Sequence, residues 1–318
     1  MGFKRLCCLS LLCAFLGIPA AGGAASWPEQ AVNLVVAFAP GGNSDYNARA
    51  LAKYLGKSLE QPVVVTNVAG SGGSIASAQV KETKPDGYTV LVNQISMNLA
   101  QVVGMVDFGY QDFEPVCVFS RGADEVLVVR AEAPWNTLME LIEDSRKNPG
   151  KFKLTANTGA STQWIAIGLQ KSGAQMNVVS AGGSGERIPL LLGGHVDMIP
   201  MPWNMVKDYV DTGKFKVLAT VSPKRSPLLP EVPTLLELGV DCGYYYYNTL
   251  FMPKGTDPSI VAAMSKAVGE IVNGSEEYRK EMEGFFQEPT YLDTHETIEH
   301  YRQEYEKLLT IADQLKGK

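Results

Sequence analysis

One local order of residues repeats along this chain: a short apolar run, a glycine-rich turn, a stretch with helical spacing, and another apolar run. It appears first at residues 32–38, where the apolar run stops at Pro40-Gly41-Gly42, and it continues through apolar runs at 62–65 and 88–92. Apolar runs that alternate with glycine turns and helices are typical of buried strands in a parallel sheet. The pattern therefore predicts an α/β fold.

The same order returns in the second half, and the C-terminal part has helical spacing. Predicted strands lie at 126–129, 152–156, 176–179 and 195–199, and predicted C-terminal helices at 258–272, 276–285 and 295–315. Either Asp293 or Thr294 suits the cap of the last helix. We predict two lobes, with 27–124 and 226–318 in lobe 1 and 125–225 in lobe 2. The chain would cross near 123–124 and return near 223–227.

Size and charge narrow the function. With 318 residues and 45% apolar content, the chain is long enough for two buried cores. Its formal net charge is -6, and since Lys4 and Arg5 are the charged residues of the first 25, the remainder carries -8. An acidic body argues against nucleic acid and anionic membrane surfaces as partners.

The N-terminus is typical of an export signal. Lys4 and Arg5 precede an apolar run at 6–18 that is too short to span a bilayer comfortably, and small residues follow at 20–25. We predict a signal peptide at 1–25, cleaved after Ala25, and a periplasmic mature protein. An uncleaved anchor and a lipoprotein modified at Cys13 are the alternatives.

Three polar glycine loops follow predicted strands, at 40–45, 157–163 and 180–185. Glycine lets backbone amides approach a ligand, and the start of a helix carries unpaired N–H groups that favour an anion. Ser44, Asp45 or Ser161 could instead simply cap the helices that follow. Because ligands of open α/β sheets bind beyond the carboxyl ends of strands, two facing lobes could offer two helix starts to one anion.

The sequence contains no recognisable catalytic or metal-binding motif. Gly-x-Ser-x-Gly, the dinucleotide fingerprint and the Walker loop are absent, and the histidines lack a metal-ligand spacing. His195 follows two glycines and is interpreted as a turn residue rather than a base. We expect no catalytic residue, metal or cofactor. The sequence leaves open whether Cys117 and Cys242 pair.

Aromatic residues near the predicted turns have two interpretations. Tyr244-Tyr245-Tyr246-Tyr247 could place alternate side chains in a cleft or form an edge strand. Trp164 and Trp203 could line the cleft or pack in the core.

Six ordered motifs resemble the extracytoplasmic solute receptors of tripartite tricarboxylate transporters, also called the Bug or TctC family, along almost the whole mature chain. They are 27–36, 38–49, 61–73, Lys84-Pro85-Asp86-Gly87-Tyr88-Thr89, Leu192-Gly193-Gly194-His195-Val196-Asp197 and Leu229-Pro230-Glu231-Val232-Pro233-Thr234.

This resemblance implies a type II periplasmic binding protein fold, a Venus flytrap that closes on a small carboxylate and presents it to membrane subunits of a transporter. It implies a monomer without enzymatic activity, and a carboxylate held by amides, hydroxyls and waters without an arginine clamp in the two main loops. The expected ligand-binding residues are Gly41, Gly42, Asn43, Ser44, Asp45, Gln94, Gly159, Ser161, Thr162, Gln163, Trp203 and Tyr247.

Three departures from the resemblance leave the ligand's identity open. Trp164 stands where many relatives have histidine, Ala181-Gly182-Gly183 where many have Tyr-Lys-Gly, and Tyr247 where many have tryptophan. The alternative functions are a ligand-sensing module that docks on a membrane receptor and an exported hydrolase.

Overall fold

The computed structural model describes residues 27–181 and 183–315, which form two five-stranded sheets with flanking helices. The predicted signal peptide lies outside the described residues. The strands are β1 (Val32–Val36), β2 (Val63–Asn67), β3 (Thr89–Asn93), β4 (Phe113–Arg121), β5 (Glu125–Arg130), β6 (Lys153–Thr155), β7 (Asn177–Val179), β8 (Met198–Pro202), β9 (Phe215–Thr220) and β10 (Tyr247–Pro253). The helices are α1 (Asn43–Ser58), α2 (Ser74–Lys81), α3 (Ser96–Val102), α4 (Leu138–Lys147), α5 (Ser161–Lys171), α6 (Ser184–Leu192), α7 (Trp203–Asp211), α8 (Pro258–Gly274), α9 (Glu276–Gly284), α10 (Thr294–Leu309) and α11 (Ala312–Leu315).

The two sheets share one plan. Lobe 1 has the order β2-β1-β3-β10-β4, and lobe 2 has the order β7-β6-β8-β5-β9. In lobe 1, β1 pairs in parallel with β2 and β3, while β10 runs antiparallel to both of its neighbours. In lobe 2, β5 has the same antiparallel role. The strand that enters each lobe from the other therefore lies inside the sheet, and the predicted two-lobed α/β fold is confirmed.

Burial on both faces explains the apolar run of β1. Leu34 and Val36 pack with Leu51 of α1 and Val268 of α8, whereas Val35 packs on the opposite face in a separate cluster. Side chains alternate between the faces of a strand, so a strand covered on both sides is continuously apolar. Burying each such side chain contributes roughly 1.5–3 kcal/mol. This packing fixes the carboxyl end of β1, from which the first glycine loop leaves.

The segment that follows β9 packs on lobe 2, whereas the sequence places residues from 226 onwards in lobe 1. After β9, Leu235, Val240 and Cys242 are buried in the lobe 2 core, and the Leu235 N–H donates to the Thr220 carbonyl at 2.9 Å. The chain joins the sheet of lobe 1 again at β10, well after the predicted return at 223–227. The reason is that these apolar side chains complete the lobe 2 core.

The long helix α10 contacts both lobes. Its cap is Asp293, which accepts a hydrogen bond from the Glu296 N–H at 2.9 Å, while the Glu296 carboxylate accepts one from the Asp293 N–H at 3.0 Å. Tyr301 packs in a lobe 1 cluster, while Lys307 Nζ lies 4.9 Å from the ring centroid of Trp164 in α5 of lobe 2. In the described part of the chain, no helix has the length and apolarity to cross a membrane.

Candidate functional site

A cavity of about 600 Å³ lies between the lobes, beyond the carboxyl ends of β1 and β3. This volume is within the usual range for small-molecule sites. Its lining from lobe 1 comprises residues 37–40, 42–44, 69–73, 94, 96 and 105, and its lining from lobe 2 comprises residues 157, 158, 160–162, 180, 183–187 and 202, with 246 from the following segment. All three glycine loops singled out in the sequence reach this cavity.

The start of α1 presents backbone donors to the cavity. The first backbone hydrogen bond of the helix runs from the Tyr46 N–H to the Gly42 carbonyl, so the N–H groups of Asn43 and Ser44 have no partner among the described residues. Both residues line the cavity. Gln94 lies beside them, with Nε2 at 3.4 Å from the Ser44 Oγ. Lobe 1 thus offers neutral donors.

Asp45 holds this loop in place from behind. One carboxylate oxygen accepts from the Gly41 N–H at 2.8 Å, and the other accepts from Asn67 Nδ2 at 2.9 Å and pairs with Arg49 at 3.0 Å. Burial alone would raise the pKa of Asp45, but the hydrogen bonds from Arg49, Gly41 and Asn67 hold that pKa below its ordinary value. Asp45 is therefore an ionised positioning residue.

The start of α5 is built in the same way in lobe 2. Thr162 Oγ1 accepts from the Asn157 N–H at 3.0 Å, and Gln163 Oε1 accepts from the Gly159 N–H at 2.7 Å. These bonds fold the preceding loop back on the helix. The Ser161 N–H has no hydrogen-bond partner among the described residues, and Ser161 lines the cavity.

A third helix, α6, also begins at the cavity, where Gly183, Ser184 and Gly185 are part of the lining. Each helix start carries a partial positive charge because its first N–H groups are unpaired and its peptide dipoles are aligned. Three helix starts that meet at one cavity give it a partial positive potential, which favours an anion.

A buried hydroxyl and carboxyl cluster supports the lobe 2 side. Tyr246 lines the cavity, and its hydroxyl lies 2.7 Å from Ser161 Oγ and donates to Glu125 Oε2 at 2.8 Å. The Tyr244 hydroxyl donates to the same carboxyl oxygen. Since Tyr246 has one proton to give, it accepts the hydrogen bond from Ser161. Burial raises the pKa of Glu125 above its ordinary value, although Tyr244 and Arg187 act against this.

Arg187 is the buried cation of the site. It lies one turn into α6, is 6% exposed and lines the cavity. Its Nη1 donates to the Pro200 carbonyl at 3.1 Å, while its Nε is buried without a partner among the described residues. The sequence resemblance places no arginine in the first two loops, and the structure supplies one beside the third.

The expected ligand-binding residues fall into three groups. Gly42, Asn43, Ser44, Gln94, Ser161 and Thr162 line the cavity. Gly41, Asp45, Gly159 and Gln163 lie behind it and hold the loops through the hydrogen bonds given above.

Trp203 and Tyr247 form the third group and lie outside the lining. Trp203 is 5% exposed and packs in the lobe 2 core with Val206. The Tyr247 ring packs against His300, with ring centroids 4.9 Å apart. Tyr246, which precedes β10, lines the cavity in place of Tyr247.

The lobes touch each other around the cavity. A Cβ placed on Gly72 would lie 2.9 Å from the carbonyl carbon and oxygen of Gly159, and one placed on Gly183 would lie 3.5 Å from the Ala39 Cβ. Gly72 and Ala39 belong to lobe 1, and Gly159 and Gly183 belong to lobe 2. Glycines at these positions therefore let loops of the two lobes come into contact beside the cavity.

Histidines or metal-ligand clusters around the cavity would point to catalysis. No histidine is among the described residues that line the cavity, and His195 is exposed. Across residues 27–181 and 183–315, no three His, Cys, Asp or Glu side chains are grouped as metal ligands would be.

Comparison of this sequence with known proteins identifies the family to which the chain belongs. The sequence pattern of the "Tripartite tricarboxylate transporter family receptor" family, TctC, matches residues 47–316. This chain belongs to the TctC family. Among curated relatives, the protein BugT of Bordetella pertussis is 33% identical over 277 residues, which cover 85% of this chain and 84% of BugT.

Solved structures agree with this assignment. The periplasmic binding protein BugD is 27% identical, with a TM-score of 0.81 over 91% of this chain and 98% of that one. An R. palustris protein solved with adipate is 25% identical, with a TM-score of 0.79 over 91% of this chain and 98% of that one. The chain is a periplasmic solute-binding receptor of the TctC type.

Proposed function

We propose that this receptor captures a small organic acid in the periplasm and presents it to the membrane subunits of a tripartite tricarboxylate-type transporter. The observation that supports this proposal most strongly is the meeting of three helix starts, with unpaired N–H groups, at one interlobe cavity. Neutral donors of this kind bind a carboxylate without an ion pair.

The adipate in the R. palustris neighbour is consistent with this ligand class. The protein itself performs no chemistry on the acid in this proposal. It acts as a monomer after cleavage of its signal peptide behind Ala25 and releases the acid when the lobes open. A ligand shifts the balance between open and closed forms only by its difference in affinity for the two.

The N–H of Ser161 allows a direct test. Proline is tolerated at the first position of a helix, and Ser161 is that position in α5, so Ser161→Pro removes the N–H with little cost to the helix. Ser161→Ala is the matched control because it removes only the hydroxyl. Calorimetry over a panel of mono-, di- and tricarboxylates measures the affinities.

We expect the wild type to bind at least one carboxylate, Ser161→Pro to weaken that binding about 10- to 100-fold, and Ser161→Ala to weaken it less. Absence of binding by every acid in the panel, or equal affinities for the two variants, would contradict the proposal.

A further inference from the structure

The cavity is lined by a buried positive charge, that of Arg187. A single carboxylate bound at the helix starts would be held by their N–H groups without it. Arg187 is 6% exposed, and its guanidinium has one hydrogen bond among the described residues, to the Pro200 carbonyl. Its Nε is buried without a partner. A buried charge is costly unless it is paired and hydrogen-bonded, so a guanidinium at the cavity with no bonded carboxylate indicates room for an anionic ligand.

Glu125 is near enough to Arg187 for the two charges to attract each other, but no carboxylate of the described residues bonds to the guanidinium directly. Among the described residues, no carboxylate lies within 4.0 Å of the Arg187 nitrogens. Glu125 is 3% exposed, but its Oε2 accepts from Tyr244 and Tyr246, and its Oε1 has no partner. Glu186, the neighbour of Arg187 in the lining, is exposed.

We propose that Arg187 binds a second carboxylate of the ligand, so that the receptor selects dicarboxylates over monocarboxylates. This inference rests on the proposed function and adds the charge of the ligand to it. One carboxylate lies on the N–H groups at the helix starts, and the other pairs with the guanidinium fork of Arg187. An arginine fork can bind both oxygens of a carboxylate at once, which gives direction as well as attraction.

The lobe arrangement makes this pairing selective. Asn43 and Ser44 of lobe 1 and Arg187 of lobe 2 line the same cavity of about 600 Å³. A dicarboxylate reaches both sides and neutralises the buried charge in the closed form. A monocarboxylate leaves the Arg187 guanidinium without a bonded anion after closure, with only the attraction of the nearby Glu125, and the cost of those unmade bonds opposes closure.

The experiment compares acids of equal length. Affinities of the wild type are measured by calorimetry for succinate and butyrate, and for adipate, monomethyl adipate and hexanoate. We expect the better dicarboxylate to bind about 10- to 100-fold more tightly than its monoanionic partner. The wild-type comparison needs no variant, so equal affinities for both members of each pair would overturn the proposal.

Variants then assign the selectivity to one residue. We expect Arg187→Gln to reduce the dicarboxylate preference to within about 3-fold, and Arg187→Lys to restore part of it. Arg130→Gln is the matched control, since Arg130 also donates to carbonyl groups in lobe 2, at Leu191 and Val196, but lies outside the cavity lining. It should keep the wild-type preference.

The outcomes separate this inference from the proposed function. If Arg187→Gln weakened mono- and dicarboxylates equally while its thermal unfolding stayed cooperative, the proposed function would stand and the role of Arg187 would be wrong. If no acid bound the wild type, the proposed function itself would fail.

Discussion

The two lobes meet at the cavity with different chemistry. Lobe 1 contributes the helix start at Asn43 and Ser44 and the amide of Gln94, all of them neutral. Lobe 2 contributes a similar helix start at Ser161 and, in addition, the buried Arg187. In our proposal, the helix starts common to both lobes bind any carboxylate, whereas the added charge of lobe 2 distinguishes between carboxylates.

Each lobe also contains a buried acid behind its loop, and the two acids differ in charge preference. Asp45 has hydrogen bonds to both oxygens and a pKa below its ordinary value. Glu125 has donors on one oxygen and a pKa raised by burial. The comparison shows that lobe 1 stabilises an ionised acid to position backbone donors, while lobe 2 disfavours the ionised form of its acid next to the cavity.

The largest expected effect comes from keeping the lobes apart. Gly72 has a φ of +63°, and a side chain there would meet the Gly159 backbone at 2.9 Å, so Gly72→Val should prevent closure. We expect the affinity for every carboxylate to fall more than about 100-fold, because neither lobe alone can complete the site. Calorimetry and small-angle scattering measure the affinity and the open shape.

Gly104→Val is the control for this change. Gly104 has a φ of +75°, but a Cβ there would contact nothing within 4 Å. The Gly104→Val variant has a similar backbone strain but no clash between the lobes, so it should still bind carboxylates. Loss of binding in both variants would point to strain rather than closure.

A smaller effect is expected from loosening lobe 1 alone. Asp45→Asn keeps the shape of the side chain but removes the charge that holds the Gly41 N–H and Arg49. We expect mono- and dicarboxylate affinities to fall together by about 10-fold, since the lobe 1 loop contacts the carboxylate that they share. Calorimetry checks this, with Asp86→Asn as a control because Asp86 also accepts from a backbone N–H but lies outside the lining. A selective loss of dicarboxylates would contradict the division between lobes.

The buried acid of lobe 2 predicts a dependence of stability on pH. Because the folded-state pKa of Glu125 is above its ordinary value of 4.5, ionisation should cost folding free energy as the pH rises from 4.5 through the folded pKa. Glu125→Gln cannot ionise, so the difference in unfolding free energy should shift in favour of the variant as the pH rises from 4.5 to the folded pKa, by about 1.4 kcal/mol for each unit of pKa shift, and stay constant above it. Urea unfolding at intervals from pH 5 to 8 measures the difference. A constant difference between the proteins would show that Glu125 does not titrate in this range.

Asp45 should have the opposite dependence. Its folded-state pKa is below 3.8, so its contribution to stability is present above that pH and is lost as the pH falls through the lowered pKa.

The smallest expected change in affinity comes from Tyr246, and its neighbour Tyr247 provides the comparison. Tyr246→Phe removes the hydroxyl between Ser161 and Glu125 but keeps the ring, so we expect a loss of affinity of about 3- to 10-fold. Tyr247→Phe is the matched control because Tyr247 packs on His300 outside the cavity, and it should bind like the wild type. The reverse order of effects, measured by calorimetry, would favour Tyr247 as the site residue.

The sequence predicts the strands and loops that form the site better than it predicts the buried charge of Arg187. Apolar runs and glycine turns indicate the strands and the loops, because burial and backbone geometry leave local signals. Of the expected ligand-binding residues, those at the helix starts, such as Asn43 and Ser161, do line the cavity. Their role as ligand contacts stays a prediction.

Features of the site that leave no local sequence signal depend on contacts between distant segments. Glu125 is separated by 119 residues from the Tyr244 with which it bonds. Trp203 is buried by lobe 2, and no local pattern distinguishes this from a place in the cleft. Arg187 did have a local signal, since it lies in the first turns of the helix after the third glycine loop. The burial of Arg187, which makes a bonded anion favourable there, is visible only in the folded structure.

Cys117 and Cys242 are both completely buried, the first in the core of lobe 1 and the second in the core of lobe 2. They are therefore too well separated by the architecture to form a bridge within one folded molecule. A thiol-specific dye should react with each only after its own lobe has unfolded, since burial also raises the pKa of both thiols. The molecule thus carries one built-in chemical reporter per lobe, from which the order of unfolding can be read.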